Sequence, residues 1–572
     1  MFLVALTRDG VAQNFQSAKI EEFNLHSMKV TVITDNFLSD FVTEPDGFSV
    51  IESPLISTSD FRNSIFLKVT YDSKNDSFSI LKSTISGRPI YYHINSAGEF
   101  FCSTHISLLR TAGVPIQENT DVLPEFFIYR FVMPPNTLYK DIFQLFTGDQ
   151  LQIKIEHNKA TISGISHYIP PEPEDKNNID LVIDQTYKYL NDSVKTLDPL
   201  HKKISLMLSG GLDSSILFKI CQKNFKTDST FATGFPFENP KNNIEKEYSL
   251  SAANLFKTKH LFLDMTSEDY LQGFLDAIAK AEVPVHHLQS VPIYLLFKKI
   301  PDANNIVISG LGADDIFGTI TQYNQYHVER SFLFKLFMKY VKSHSIKYLL
   351  RLINKDWHNY TMIQENYKRS AIPIADTNNL IWSISAHGSE EWTTQHFNIT
   401  KEDIIKSRYN EIKKFHDRSI YDLISIWLFL GSASTTQAIW SKLGESENKI
   451  LYYPYTHIDL INYAFSVPWD IKLKKPKNIL RFVAHKLDIP EEIINRQKSG
   501  FGINPEIWAQ KGGIFESLLP LTKKFFTEEE IRKMQSSELK KAMIYWNMLN
   551  YSIWKRICIN NEPLDSLLEE IA

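Results

Sequence analysis

The apolar positions of the first 166 residues fall into short alternating or β-branched runs, among them KVTVIT (29–34), SIFLKVTYD (64–72), FSILKS (78–83), RPIYYHI (88–94) and LQIKI (151–155). Separated by polar turn clusters such as SKNDS (73–77) and NSAGE (95–99), these runs predict strands of a layered sheet domain with few helices. The opening MFLVALTRDG has an apolar run of five residues with no basic stretch before it, so it reads as a first strand, not as a signal peptide or membrane span. The pattern then breaks at YIPPEPEDKNN (168–178), where three prolines, charge and asparagine cannot continue a strand or a helix. The break divides the chain into a first domain, 1–168, a linker, 169–178, and a second domain, 179–572.

Beyond the linker the period changes. IDLVIDQTYKYLNDSVKTL carries apolar residues at helical spacing, and the strand-like runs ISLML (204–208), STFATGF (229–235), KHLFLDM (259–265) and NIVISG (305–310) alternate with helix-like segments. Such alternation predicts an α/β domain whose parallel sheet is covered by helices, with ligands outside the strand carboxyl ends. From about 319 to 440 the chain reads as helical and aromatic. Within that stretch, residues 330–355 hold seven Lys or Arg and no acid. They read as a basic docking surface or, more simply, as amphipathic helices with solvated lysines.

Composition bounds the picture without changing it. An apolar fraction of 43%, a charged fraction of 22% and a formal charge of −4 describe a globular protein with no general attraction to nucleic acid or to an anionic membrane. The cysteines Cys102, Cys221 and Cys558 form neither a CxxC pair nor a zinc-ligand spacing, and they suit a reducing, cytoplasmic setting.

The candidate chemistry lies at two strand ends. SLMLSGGLDSS (205–215) runs a strand into Ser209-Gly210-Gly211, where bare backbone N–H groups and a helix N-terminus converge on an anion. Leu212, Ser214 and Ser215 continue the loop into that helix, and the serines with Ser209 offer hydroxyl contacts. Asp213 would repel a bare phosphate, so its presence points to a bridging divalent cation, most simply Mg²⁺. A glycine turn without ligand is the plainer alternative. NIVISGLGADD (305–315) is a second strand ending in Ser-Gly, with Asp314 and Asp315 beyond it. Were the two strands adjacent, Asp213 and Asp314 would face one metal; by itself the acidic pair also suits a helix N-terminus.

At these loops the sequence resembles the asparagine synthetase family, whose ATP pyrophosphatase domain carries SGGLDSS and SGEGADE. GRPIYYH (87–93), EFFCSTHISLL (99–109), FVMPPNTLYKDIFQL (131–145), IDLINYAFSVPWDIKLKKPKNILR (458–481) and IPEEIINRQKSGFGINP (489–505) extend the likeness over most of the chain. The resemblance implies a glutaminase-like layered β domain followed by the ATP-using domain with a helical carboxyl-terminal part. It also implies ATP and Mg²⁺ as cofactors, and adenylation of a carboxylate followed by attack of an amine. It places AMP contacts at Leu208, Thr233, Ser309 and Gly310, and a lysine serving the leaving group and the oxyanion at Lys498. Glu247 and Glu282 match family acids near nucleotide and substrate only loosely. The pair His286-His287 has no metal spacing partner and reads as packing or surface.

Three departures shape the expected activity. Position 2, where glutamine-hydrolysing members carry the nucleophilic cysteine, is Phe2. Leu311 replaces the glutamate of SGEGADE and takes no proton. Ile450, Tyr452 and His457 stand where the family's LEVRVPFLD has Glu, Arg and Asp. Members without the cysteine include β-lactam synthetases and lasso peptide macrocyclases, which join a carboxylate and an amine of one molecule. The expectation is therefore an AMP-forming amide ligase without glutaminase activity, closing a macrolactam in a lasso-type peptide. Its substrate would be a peptide or amino-acid-derived carboxylate, with a leader peptidase or a precursor-recognition protein as partner. An ammonia-dependent asparagine synthetase and a catalytically silent nucleotide-binding protein are the alternatives.

Overall fold

A computed structural model describes the chain apart from residues 9, 12–18, 26, 36–37, 54–65, 177, 198–203, 226–228, 236–242, 303–304, 331, 333–385, 413–414, 416, 497–502, 504 and 572. The basic stretch 330–355 and Lys498 thus lie almost wholly and wholly outside the described residues, respectively.

Among those described, the strands of the first domain are Phe2–Thr7 (β1), Lys19–Leu25 (β2), Met28–Thr34 (β3), Ser39–Glu44 (β4), Gly47–Glu52 (β5), Leu67–Asp72 (β6), Ser77–Lys82 (β7), Tyr91–Ile94 (β8), Phe100–Ser103 (β9), Phe143–Gln144 (β10), Gln150–Glu156 (β11) and Lys159–Ser166 (β12). They form two antiparallel sheets, in the orders β10-β8-β9-β1-β3-β2 and β12-β11-β7-β6-β5-β4. The sequence leads into each strand through the turn clusters, and alternation survives where one face is wet: β6 and β7 bury every second residue. β1 is different, because all six of its residues are buried. Phe2, Val4 and Leu6 point into the layer shared with Val50, Val69, Phe78 and Ile153 of the other sheet. Leu3 and Ala5 point the other way, into a core that includes Phe126, Phe127 and Trp546.

In the second domain Ile204–Met207 (β13), Ser229–Gly234 (β14), His260–Asp264 (β15), Ile306–Ile308 (β16) and Ile450–Tyr452 (β17) make a parallel sheet in the order β15-β14-β13-β16-β17. The chain winds outward from β13 through β14 and β15, then returns to place β16 on the other side of β13, with Ile204 opposite Ile306. That reversal opens a crevice at the carboxyl ends of β13 and β16, the place where open α/β sheets bind ligands. The expected α/β and α+β architecture is therefore present, with a helical carboxyl-terminal part from residue 390 onward.

Contiguous helical turns over Ile420–Glu445 form one helix of 26 residues that is long and apolar enough to cross a membrane, yet 83% of its apolar window is buried inside the protein. It packs against the first domain along its length, with Gly431 beside Met133 and Glu445 paired with Arg88, and its middle turn, Leu428–Ala433, is π-helical. The proline-rich connector is ordered against that domain: the Pro170 and Pro171 carbonyls accept from Arg418 at 2.5 and 2.8 Å, and the Ser466 carbonyl accepts from Glu174 N at 2.8 Å.

Buried charge pairs tie the two domains. Arg88, 3% exposed, meets Glu445 through both terminal guanidinium nitrogens and Glu52 through Nε at 2.5 Å. Arg408 donates to Glu125 at 2.7 Å while its plane lies over Tyr129 and Phe131. Pairs of this kind cost desolvation and return it only when both partners stay in place, so they fix the relative placement of the domains more than they add net stability.

Candidate active site

The sharpest local constraint is at Gly210. Its φ of +69° is left-handed, and a Cβ there would lie 2.3 Å from the Tyr248 carbonyl oxygen, so only glycine fits the turn after β13. Gly211 caps the helix Leu212–Asn224 in extended conformation. Ser209 Oγ accepts from Gly211 N at 3.3 Å, and Ser214 Oγ donates to the Gly211 carbonyl at 3.2 Å, which holds the loop in one shape. The result is a helix N-terminus preceded by bare backbone at the crevice, suited to phosphate oxygens.

On the neighbouring strand, β16 leads into Ser309 and Gly310, and Ser309 N donates to the Tyr452 carbonyl of β17 at 3.0 Å. Gly310 packs directly on Asp213 and Ser214: a Cβ there would stand 3.4 Å from Asp213 Cβ. Gly312, at φ +103°, then turns the chain into the short helix Ala313–Phe317, which carries Asp314. The two glycine turns bring Asp213 and Asp314 to one point. Between them lies the ammonium of Lys477, bonded to Asp213 Oδ2 and 2.9 Å from Asp314 Oδ1.

Lys477 was not among the residues singled out from the sequence. It precedes the helix Asn478–Lys486 with φ +53°, and its side chain is 12% exposed. Burial alone would lower its pKa, but the charges of Asp213 and Asp314 reverse this and hold it protonated well above the usual lysine range. The signal that could have found it is the lysine of KNILR inside the family-like segment 458–481. Tyr455 closes the floor: its hydroxyl donates to the Asp213 carbonyl at 3.2 Å, and burial, then the two carboxylates, push its pKa well above the usual tyrosine range.

Arg496 links the carboxyl-terminal motif to the phosphate loop. It donates to the Ser209 carbonyl at 2.7 Å, pairs with Glu245 at 2.8 Å and lies over the Tyr248 ring at 4.2 Å. This arginine opens RQKSGFG, whose lysine Lys498 lies outside the described residues. Leu208 is fully buried, its N–H donating to the Phe231 carbonyl at 2.9 Å, and Thr233 at the end of β14 donates to the Leu263 carbonyl at 3.0 Å. Ser215 is buried with its hydroxyl unpartnered among the described residues.

The three residues expected near the substrate, Leu311, Glu247 and Glu282, separate. Leu311 is partly buried against the apolar core, with its N–H donating to Ser209's counterpart on the second loop, Ser309 Oγ, at 3.3 Å. Glu247 is exposed on the helix Asn243–Phe256, one turn from the loop. Glu282 is committed elsewhere: it accepts from Ile106 N at 2.8 Å and Ser107 N at 2.9 Å of the first domain, and from Lys442. Burial would raise its pKa, but Lys442, His105 and these donors bring it down to about 2. Glu282 thus joins the domains and makes no bond to either glycine loop.

In the first domain Phe2 is fully buried between the sheets, with its N–H donating to Thr104 Oγ1 at 3.2 Å. All three cysteines are buried and unpaired. Burial pushes the Cys102 and Cys221 thiols above the usual range, and Cys558 up to about 12.

A sequence model of the asparagine synthase family matches residues 186–529, and one of the glutamine amidotransferase domain matches residues 58–168. Asparagine synthetase [glutamine-hydrolyzing] 1 of Bacillus subtilis is 21% identical over 489 residues, which cover 82% of this chain and 74% of that protein. A putative asparagine synthetase [glutamine-hydrolyzing] 2 of Methanocaldococcus jannaschii is 24% identical over 273 residues, covering 47% of this chain and 52% of that protein. Among solved structures, the NH3-dependent NAD synthetase of Campylobacter jejuni matches at 15% identity with a TM-score of 0.18, over 35% of this chain and 98% of its own.

Proposed function

The chain belongs to the asparagine synthase family, and from that premise we propose that it is an ATP-dependent, AMP-forming amide ligase working without glutamine hydrolysis. The observation that carries this reading is the convergence of Asp213, Lys477 and Asp314 beside the Ser209–Gly211 loop.

In the first step a substrate carboxylate oxygen attacks the α-phosphorus of ATP, and the bond to the β-phosphate oxygen breaks to release pyrophosphate. In the second an amine attacks the acyl carbon, loses a proton and expels AMP. The backbone N–H of Gly210 and the hydroxyl of Ser209 would hold the β- and γ-phosphates, joined by the Gly211 N–H and the Ser214 hydroxyl where these exchange their 3.3 and 3.2 Å loop bonds for phosphate oxygens, leaving the α-phosphorus open. Positive charge must meet the leaving group, and the Lys477 ammonium supplies it in place. Lys498 is proposed to serve the oxyanion, by its place in RQKSGFG. Leu208, Thr233, Ser309 and Gly310 are proposed to border the adenosine.

The residues fit Mg²⁺: Asp213 Oδ1 is buried with no hydrogen-bond partner among the described residues, and Asp314 faces the same point. No group of three or more His, Cys, Asp and Glu side chains that could hold a metal occurs among the described residues, as suits an ion shared with phosphates and water. When bound there, it would neutralise charge on the departing pyrophosphate.

The nitrogen source is argued from Phe2. A buried phenyl ring stands where glutamine-hydrolysing members use a cysteine, and the cysteines present are buried thiols held in the neutral form. Without a glutaminase an amine carried by the substrate itself is the first source to consider, and a lasso-type peptide closing its own macrolactam is the reading that uses the missing nucleophile, Leu311 and the departures at Ile450, Tyr452 and His457 together. Such a role brings in a leader peptidase or precursor-recognition protein, and unpaired cysteines suit the cytoplasm. Free ammonia with aspartate is the second reading, favoured by the names of the relatives. ATP–pyrophosphate exchange with peptide carboxylates and with aspartate separates the two.

A further inference from the structure

Arg481 grips Lys477 from behind. Its backbone N–H donates to the Lys477 carbonyl at 3.1 Å and its Nε to the Pro476 carbonyl at 2.7 Å, so one residue holds the carbonyls on both sides of the Lys477 Cα. Lys477 stands at φ +53°, a left-handed backbone that a lysine keeps only where its surroundings fix it. Asn478 adds to the hold, with its N–H on the Lys475 carbonyl at 3.1 Å and its Nδ2 on the Ile471 carbonyl at 3.0 Å.

The other end of the same guanidinium reaches a second segment. Arg481 Nη1 donates to the Ile494 carbonyl at 2.7 Å and to Asn495 Oδ1 at 3.1 Å. Asn495 is tied back in turn, its Nδ2 donating to the Glu491 carboxylate at 2.6 Å. The next residue is Arg496, whose guanidinium bonds the Ser209 carbonyl and Glu245. Lys477, on its side, bonds the Asp213 carboxylate. The contacts therefore run from Ser209 through Arg496, Arg481 and Lys477 to Asp213, a ring that begins and ends on the phosphate loop. Helix capping accounts for only one of them: closing the helix Glu491–Ile494 needs a donor to the Ile494 carbonyl and none to Pro476 or Asn495. The fixed plane of the guanidinium lets one side chain serve both segments, which the single ammonium of a lysine does not.

We propose that Arg481 is a positioning residue, which sets the place of the Lys477 ammonium and of Arg496 against the Ser209–Gly211 loop, and so aims the grip on the terminal phosphates of the nucleotide. It acts through those two cations, since its own hydrogen bonds go to Pro476, Lys477, Ile494 and Asn495. The inference rests on the reading of that loop as the pyrophosphate grip, and it adds the residue that keeps the grip in register.

The test measures binding of pyrophosphate, with Mg²⁺ present, and of AMP to the full chain by calorimetry. AMP has neither the β- nor the γ-phosphate, so it reports the state of the crevice apart from Lys477. Arg481→Lys, shown to be folded by its urea transition, should bind pyrophosphate about tenfold more weakly and AMP within about twofold of the unsubstituted chain. Undiminished pyrophosphate binding would detach Arg481 from the site, and equal weakening of both ligands would make it a general support of the crevice; either result overturns the proposal. An unsubstituted chain that lacks binding of pyrophosphate or of AMP contradicts the reading of the loop, and the proposal falls with it. Where Arg481→Lys does not fold, Asn495→Ala decides, because it removes one acceptor and keeps the guanidinium. Pyrophosphate binding about threefold weaker with AMP unchanged is then expected, and no difference between the two ligands overturns the proposal.

Discussion

Asp213 and Asp314 leave adjacent parallel strands and share one ammonium, that of Lys477, which sits 2.9 Å from Asp314 Oδ1. A cation is thus built in where, in the proposed reaction, the departing pyrophosphate would need it, and two carboxylates are held together that would otherwise repel.

Replacing Lys477 by Met removes that charge while keeping the stem. Pyrophosphate exchange should fall by about 100-fold or more. The two carboxylates left facing each other should lower stability by about 1–3 kcal/mol, read as a shift in urea midpoint at constant slope. Exchange within a few-fold of the unsubstituted protein would remove Lys477 from the site.

Asp213→Asn keeps the shape of the loop and removes the charge. The Mg²⁺ concentration giving half-maximal exchange should rise about tenfold or more, as for loss of a metal-orienting carboxylate. An unchanged Mg²⁺ dependence would mean that the ion is held elsewhere.

Glu282 predicts an acid limb to the stability profile. Its folded pKa, brought down to about 2, lies below the ordinary carboxylate value. Its contribution is therefore present above about pH 4.5 and lost as pH falls toward 2, on the order of 3 kcal/mol. Glu282→Gln should flatten that part of the urea midpoint profile between pH 5 and pH 3. A profile that keeps its full steepness would place the acid sensitivity in other groups.

Phe2→Cys restores the residue type but not the site. The position is buried between two sheets, so the substitution should cost about 2–4 kcal/mol and leave glutamate release from glutamine at background. Clear glutamine hydrolysis would contradict the reading of the first domain as scaffold.

The sequence carried the two strand-end loops because their chemistry is local. Ser209 to Ser215 and Ser309 to Asp315 each hold glycine turns and acids within a few residues, and the adjacency of β13 and β16 then follows from the parallel order. β1 was visible as a strand, but its two buried faces were not, since a fully covered strand loses the alternation that marks a face. Lys477, Tyr455 and Arg496 escaped notice for the opposite reason. Each acts across the fold, and an isolated lysine, tyrosine or arginine announces no partner far away in sequence. Glu282 shows the converse: its match to a family acid suggested substrate, whereas its hydrogen bonds run to the first domain. For His286 the sequence left packing or surface open, and burial against residues 131 and 436 decides for packing.

The central claim is that the Asp213 loop activates a carboxylate with ATP. It is met most directly by exchange of labelled pyrophosphate into ATP by the full chain, with candidate peptide carboxylates and with aspartate, beside an Asp213→Ala protein of unchanged fold. Substrate-dependent exchange that disappears in Asp213→Ala is the predicted result. Substrate-dependent exchange that persists undiminished in Asp213→Ala, or ATP binding with no exchange for any carboxylate, would contradict it.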